Sequence, residues 1–157
     1  MEELFGIYGR ETVFVHVLSG VIWVGGMIAI RFAVHPSLQS LEDPKIKLEK
    51  TLEIVGRLFH LVLPFILLLL VTAVVMGFGL LQSDLAGTLY LKGAIWTVMI
   101  LNYGYMYFRR YRAQKLFDAG DFAAAKAEVK YLPNLLLPVN IVLGVVAIFA
   151  GVVLRGI

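Results

Sequence analysis

Cysteine is absent from this 157-residue chain, and charged residues make up only 16% of it. Without cysteine the chain can form no disulfide, no thiolate metal site and no covalent C-x-x-C-H haem attachment. Any metal or haem must therefore be held by other side chains, and only three histidines are present. Average globular chains carry about 25% charged residues, so the composition argues against a soluble enzyme or a nucleic-acid-binding protein.

Apolar sequence takes the place of the missing charge. The chain is 60% hydrophobic, with a mean hydropathy of +0.85. Four nearly uncharged runs each have about 20 residues or more, enough for a helix to cross a hydrocarbon core of about 30 Å. Only helices satisfy their own backbone in lipid at this length. We therefore expect an all-α, single-domain integral membrane bundle of four transmembrane helices, over 12–34, 58–81, 89–108 and 132–154.

Basic residues cluster around two of the three predicted loops. The first and third loops hold or border 11 of the 14 lysines and arginines. The positive-inside rule then predicts a multi-pass inner-membrane protein with both termini outside and both long loops in the cytoplasm. The net charge of +3 thus reflects topology, and we expect no nucleic-acid partner. The acidic start, Glu2 and Glu3, argues against a cleaved signal peptide.

The two basic loops also carry helical patterns of their own. One begins at Lys45 and the other covers 122–132, so we expect short helices at the cytoplasmic interface. Gly120 and Asp121 are typical of a helix stop followed by an N-cap.

Ionisable side chains within the spans are candidate functional residues, because each costs at least ~2.5 kcal/mol in lipid. Their depths define two layers. At about 1.5 Å per residue, His16 and His60 lie roughly 20 Å or more apart along the membrane normal, so one metal cannot bind both. The predicted outer layer holds His16, Met76 and Lys92, and the inner one His35, His60, Arg31 and Tyr107.

Helical spacing places several of these residues on inward-facing stripes. An interior lined by such side chains, with Gly20 and Gly26 leaving room, suits a flat aromatic macrocycle. A neutral histidine is a good axial ligand for haem iron, and Met or Lys can fill the sixth position. We expect Trp23, Arg31 and Tyr103 to line this cofactor. The stripes are His16, Gly20, Trp23, Met27 and Arg31 on the first span and Lys92, Trp96, Met99, Tyr103 and Met106 on the third.

Each candidate also has a purely structural interpretation. His16 could bond a neighbouring helix, and Lys92 could snorkel outwards. His35 and His60 lie near the interface, where polar side chains cost little. Tryptophans and tyrosines near helix ends are typical interfacial anchors. Helix packing explains a set of small residues, which would also permit a homodimer: Gly25, Gly26, Gly144, Ala147 and Gly151. Membrane topology explains three arginines: Arg109, Arg110 and Arg112.

The first span resembles the helix 1 signature of two related membrane families. These are HemJ, the haem-containing protoporphyrinogen oxidases, and the CopD-like domains associated with copper resistance. Residues 16–26 read HVLSGVIWVGG, and Arg31 and His35 follow. Leu91-Lys92, with Tyr103 eleven residues on and then an arginine cluster, also resembles both families. Residues 133–138, PNLLLP, are similar to the last helix of HemJ.

The HemJ resemblance implies a non-covalent haem b and oxidation of a porphyrinogen, with electrons passing to quinone. It implies His16 as an iron ligand, with His60 or His35 as further ligands. Lys92 would face the substrate or a haem propionate. The chain departs from HemJ at Tyr90, where histidine is usual, and at Lys130-Tyr131, where Asn-Glu is expected.

The CopD resemblance implies copper transport across the membrane instead, for which His16, His60, His35 and Met76 are the candidate metal ligands. A non-enzymatic electron-carrying cytochrome b is a further alternative. Two sites at different depths would favour that electron carrier. Membrane lipid is a partner on all three interpretations.

Overall fold

Helices form nearly all of the computed structural model, which describes residues 2–78 and 84–154, with side chains from residue 7 onwards. No strand occurs in those ranges, so the predicted all-α class is confirmed. The helices are α1 (Glu2–Ala29), continuing through a π-helical turn (Ile30–Val34) into α2 (His35–Gln39), then α3 (Pro44–Gly77), α4 (Ala86–Asp118), α5 (Phe122–Val129) and, after a second π-helical turn (Leu132–Leu136), α6 (Leu137–Val153).

Three helical segments are long and apolar enough to cross a membrane: Ile7–Gln39, Pro44–Gly77 and Phe122–Val153. Only 22–28% of the most apolar stretch of each is buried within the protein, so most of its side chains face outwards. Soluble monomers rarely expose so large an apolar surface. The chain is therefore a multi-pass membrane protein, in which helices satisfy their own backbone.

The predicted third span, 89–108, lies within α4. This helix has 33 residues but is less apolar than the three segments above. Lys92, Asn102 and several tyrosines lower its hydropathy, and its second half continues through the arginine cluster to Asp118.

Helix α3 is also longer than its predicted span. It begins at Pro44, so the helical pattern from Lys45 and the second span form one continuous helix. The reason is local, because Pro44 suits a first helical turn and the lysines and glutamates after it are good helix formers. The predicted end of this span, 79–81, and the first part of the predicted loop 82–88 lie outside the described residues.

Two aspartates and one glycine fix helix ends. Asp43 Oδ1 accepts hydrogen bonds from the backbone N–H groups of Lys45 and Ile46, at 2.7 and 3.2 Å, and so caps α3. Gly120 ends α4 with a φ of 85°, a conformation that glycine adopts most easily. Asp121 then caps α5 by accepting from the Ala124 N–H at 3.0 Å. The predicted stop and cap at 120–121 are confirmed.

Helices α1, α3, α4 and α6 form a ring in which each packs against the next and α6 returns to α1. Neighbours run antiparallel. On α1 and α3, His16 contacts Thr72 whereas Gly26 faces Leu58. The same reversal relates α3 to α4 and α4 to α6, so α1 and α4 run in the same direction. The contacts are Gly77 with Leu89, Gly56 with Arg110, Gly144 with Met99 and Gly151 with Lys92.

The centre of the ring is filled by its own aromatic and methionine side chains. Trp23 contacts Tyr103 edge-to-face, with ring centroids 6.3 Å apart. Tyr103 also packs on Phe59, and its hydroxyl donates to the Phe59 carbonyl at 2.8 Å. Met27 and Met106 complete this layer, and both are almost fully buried. The ring is therefore tightly packed at mid-height.

Helix α5 is attached to α4 by an ion cluster. Glu128 pairs with Arg109 at 2.5 Å and with Arg112 at 3.2 Å, and it is largely shielded from solvent. These two arginines, interpreted from sequence as topology determinants, therefore also position the short helix.

Two asparagines join α4 to α6. Asn102 Nδ2 donates to Asn140 Oδ1 and to the Leu136 carbonyl, both at 2.8 Å. Asn140 Nδ2 donates in turn to the Met99 carbonyl at 3.1 Å, and Asn140 is fully buried. Each amide thus satisfies the other within the apolar bundle, as interhelical polar side chains do in membranes.

Replacing Asn140 by alanine is expected to destabilise the bundle. The change removes one acceptor of Asn102 and the bond to Met99, so we expect the free energy of unfolding in detergent to fall by about 1–2 kcal/mol. Asn134→Ala is the matched control, because Asn134 is exposed on the same segment. Equal losses in the two variants would show that the asparagine pair does not hold α4 to α6.

Candidate functional site

His16 lies at the end of the ring that carries Lys92, called here the Lys92 end. Its Nδ1 is 2.8 Å from the Thr72 hydroxyl oxygen, and that hydroxyl donates its single proton to the Leu68 carbonyl at 2.6 Å. The Thr72 oxygen can therefore only accept from His16, which makes Nδ1 the protonated nitrogen and leaves the lone pair on Nε2. Metal-ligating histidines typically have this arrangement, with one ring N–H fixed by a neighbour.

Trp96 lies at the same end of the ring as His16. Trp23 and Tyr103 are in contact, and His16 and Trp96 each precede their partner in that contact by seven residues. Because α1 and α4 run in the same direction, both residues lie about 10.5 Å from the contact along the bundle axis. The indole N–H of Trp96 is buried and has no hydrogen-bond acceptor among the residues that the structure describes.

Lys92 and Met76 belong to the same end. Lys92 lies one turn beyond Trp96 on the same face of α4, and its Nζ rests against Gly151 in the last turn of α6, 3.0 Å from where a Cβ would stand. An ammonium group is favourable near a helix C-terminus. Met76 lies one turn beyond Thr72 on α3, on the face that contacts His16. The structure therefore brings the three predicted outer-layer residues to one end.

The two glycines expected to leave room for a macrocycle differ. A Cβ on Gly20, one turn from His16, would meet no described atom within 4 Å. A Cβ on Gly26 would lie 2.8 Å from Leu58 Cδ1, so that position is closed by helix packing. The expectation of room at Gly26 is therefore wrong, because α3 packs closely there. Trp23 and Tyr103 fill the centre themselves.

His60 lies at the opposite end, called here the Arg110 end. Its Nδ1 donates to the Gly56 carbonyl at 2.7 Å, which leaves the lone pair on Nε2, 3.4 Å from the Tyr107 hydroxyl. Twelve residues of α3 separate His60 from Thr72, so the two histidine levels are about 18 Å apart. The spacing agrees with the separation inferred from the sequence, and His16 and His60 cannot share one metal.

An open groove of about 800 Å³ runs beside His60 between α3 and α4. Arg110 forms its wall, donating through Nε and Nη2 to the Leu52 carbonyl at 3.0 and 2.8 Å and through Nη2 to Gln114. The guanidinium lies on Gly56, where any Cβ would overlap it. The groove is lined by Glu49, Glu53, Gly56, Arg57, His60, Leu61, Arg110 and Gln114.

His35 and Arg31 stand apart from His60. Since Gly26 faces Leu58 across an antiparallel pair, His35 is level with the start of α3 and about 16 Å from His60 along the axis. His35 Nε2 accepts from Gln39 at 3.3 Å, and the Arg31 guanidinium lies over the Phe32 ring, 5.6 Å from its centroid. The predicted inner layer is thus divided between two places.

Sequence reasoning missed Thr72, Gly56 and the polar environment of Trp96. Thr72 had a signal, being a polar residue in the most apolar stretch of the chain. Gly56 and Arg110 had none, because only packing of α3 against α4 brings them together. Among the described residues, no three or more histidines, aspartates or glutamates form a group that could hold a metal ion.

Comparison with protein-family models, with curated proteins and with solved structures finds no match to this chain. The resemblance to HemJ and to CopD-like proteins therefore depends on the residues quoted above.

Substituting Gly56 by alanine is expected to displace Arg110. The new Cβ would overlap the guanidinium, so its bonds to Leu52 would be lost and thermal unfolding should show a loss of about 1–3 kcal/mol. Gly104→Ala is the control, since a Cβ there meets no described atom within 4 Å. An Arg110→Leu background should abolish most of the difference, because the two changes remove the same interaction. A full additional loss in that background would contradict this account.

Proposed function

We propose that this chain is a haem-b-binding membrane redox protein with its haem at the Lys92 end. The observation that carries the proposal is the hydrogen bond from His16 Nδ1 to Thr72, which makes Nε2 the nitrogen that would bind iron. Such an outer-shell bond fixes both the tautomer and the orientation of the ring. The resemblance of residues 16–26 to the HemJ signature supports the same assignment.

The residues around His16 fit a flat ligand at this end. Gly20 leaves the face of α1 next to His16 uncovered, and the buried Trp96 N–H needs an acceptor that the described residues do not supply. Met76 is a candidate sixth ligand because a thioether is one of the common haem ligands. A bound haem supplies one-electron redox chemistry, whereas the protein supplies axial ligand, burial and orientation.

Lys92 is the candidate catalytic residue in a HemJ-like oxidation of a porphyrinogen. Its ammonium lies near the last turn of α6, on the same face of α4 as Trp96. A positive charge held there would attract and orient an anionic substrate carboxylate at the haem-bearing end. Electrons from the oxidation would leave to quinone.

A non-enzymatic electron carrier is the second candidate, and His60 favours it. Its Nδ1 is fixed by the Gly56 carbonyl in the way that Thr72 fixes His16. Aromatic rings in contact run from His60 through Tyr107 and Tyr103 to Trp23, with centroids 5.8–6.3 Å apart, and Trp23 lies seven residues from His16 on α1. Two histidines about 18 Å apart, each with Nδ1 fixed by a hydrogen bond, would suit transfer of electrons across the membrane.

We further propose that α4 is the fourth membrane span and that both termini lie outside the inner membrane. Helix α4 occupies a full position in the ring, between α3 and α6. Two of its polar side chains are satisfied inside the bundle, since Asn102 bonds Asn140 and Tyr103 bonds Phe59. The basic residues around the first and third loops support this orientation.

The optical spectrum of detergent-purified protein tests the haem assignment. We expect a reducible b-type Soret and α band in the wild type, and its loss in His16→Ala. Thr72→Val keeps the volume but removes the acceptor of His16 Nδ1, so haem affinity should fall by about 10–100-fold. His35→Ala should leave the haem spectrum unchanged.

Thr97→Val is the matched control for Thr72→Val, since the exposed Thr97 hydroxyl bonds only its own helix, at the Gly93 carbonyl. Folded wild-type protein that shows no haem in either redox state, despite adequate haem supply, contradicts the assignment. Binding of Cu(I) in its place, lost in His16→Ala and Met76→Ala, would move the chain to the CopD-like copper class. Loss of only part of the haem in His60→Ala would favour the two-site carrier.

Single-cysteine labelling tests the orientation cleanly, because the chain has no native cysteine. Asp84, Ser40 and Ala119 are exposed positions in three connections between helices. We expect an impermeant maleimide to label Asp84→Cys in intact spheroplasts. Ser40→Cys and Ala119→Cys should react only after permeabilisation. Labelling of Asp84→Cys and Ala119→Cys from the same side would show that α4 does not cross the membrane.

A further inference from the structure

The buried N–H of Trp96 is a polar group that the described part of the protein leaves unsatisfied. Elsewhere in the bundle, interior side chains such as Tyr103, Asn102 and Asn140 each have a hydrogen-bond partner on another helix. A buried donor without an acceptor costs free energy comparable to that of a lost hydrogen bond. Because native interiors pair nearly all such groups, the indole indicates an acceptor supplied from outside the chain.

The position of Trp96 identifies the kind of acceptor. The indole lies at the same end of the bundle as His16. It is one turn from Lys92 on one face of α4. Trp96 and Lys92 both contribute hydrogen-bond donors, and Lys92 adds positive charge. An oxygen acceptor with negative charge complements both, because charge-assisted hydrogen bonds are the strong ones.

We propose that Trp96 Nε1 donates a hydrogen bond to a carboxylate oxygen of a tetrapyrrole bound at the Lys92 end. Trp96 is then a positioning residue that sets how the ligand sits relative to His16, and Lys92 supplies the accompanying charge. This proposal rests on the proposed function. The carboxylate belongs either to a haem propionate or to a porphyrin-class substrate, and the experiment separates these two sources.

The test uses the two tryptophans of the chain as a matched pair. Trp96→Phe keeps an aromatic ring but removes the donor, and Trp23→Phe makes the same change at the packed centre. Ultraviolet resonance Raman spectra report hydrogen bonding of the indole N–H. We expect the indole band that is sensitive to this hydrogen bond to shift when ligand is added to the wild type and to Trp23→Phe. No shift should occur in Trp96→Phe.

The ligands used are haem, then protoporphyrin IX added to the haem-loaded protein, and the dimethyl ester of each. A shift with haem assigns the bond to the propionate, and a shift only with protoporphyrin IX assigns it to the substrate carboxylate. For the ligand that causes the shift, Trp96→Phe should weaken retention by about 10–100-fold, as expected for loss of a hydrogen bond to a charged group. The dimethyl ester should weaken wild-type retention by more than this, because it also removes the attraction of Lys92, and it should weaken retention by Trp96→Phe less than retention by the wild type.

An unshifted indole band with both acids overturns the proposal, as does equal retention of acid and ester by the wild type. If the protein takes up haem but the indole band shifts with neither haem nor protoporphyrin IX, the proposed function is still supported and only the role of Trp96 is contradicted. Wild-type protein that takes up no haem overturns the proposed function; the band is then measured with protoporphyrin IX alone. A shift in that case still supports the role of Trp96, and no shift overturns it.

Discussion

Polar side chains inside this bundle find their hydrogen-bond partners within the protein, on their own helix or on a neighbouring one, because the outer surface is apolar. The requirement explains how the ring is held together. Polar bonds join α1 to α3, α3 to α4 and α4 to α6, and close packing at Gly144 completes the contact of α6 with α1. The bonds are those of His16 with Thr72, Tyr103 with Phe59, Arg110 with Leu52, and Asn102 with Asn140.

The same requirement fixes the ring orientation of two histidines. A histidine that must satisfy Nδ1–H inside the bundle does so on Thr72 or on the Gly56 carbonyl, and its lone pair is then confined to Nε2. On the proposed function, this structural hydrogen bond would also serve as the outer-shell bond of a metal-binding histidine. For His16, the alternatives of helix contact and ligand are compatible, since one nitrogen serves each.

The two ends of the ring differ in how completely their polar groups are paired. At the Arg110 end, Arg110 bonds Leu52 and Gln114, and Glu128 holds two further arginines. At the Lys92 end, the Trp96 N–H is left without an acceptor among the described residues. Burial of an unpaired donor is unfavourable, so the Lys92 end is where an added ligand would contribute most.

The sequence by itself determined the all-helical class, the caps at 120–121 and the separate depths of His16 and His60. Each depends on local information: apolar run length, capping chemistry and the rise per residue along a helix. Only the tertiary structure decided that Leu58 closes Gly26, that Arg110 lies on Gly56 and that Thr72 orients His16. Helical periodicity predicts which face of a helix turns inward, but not which residue of another helix meets it. That depends on how the helices pack around the ring.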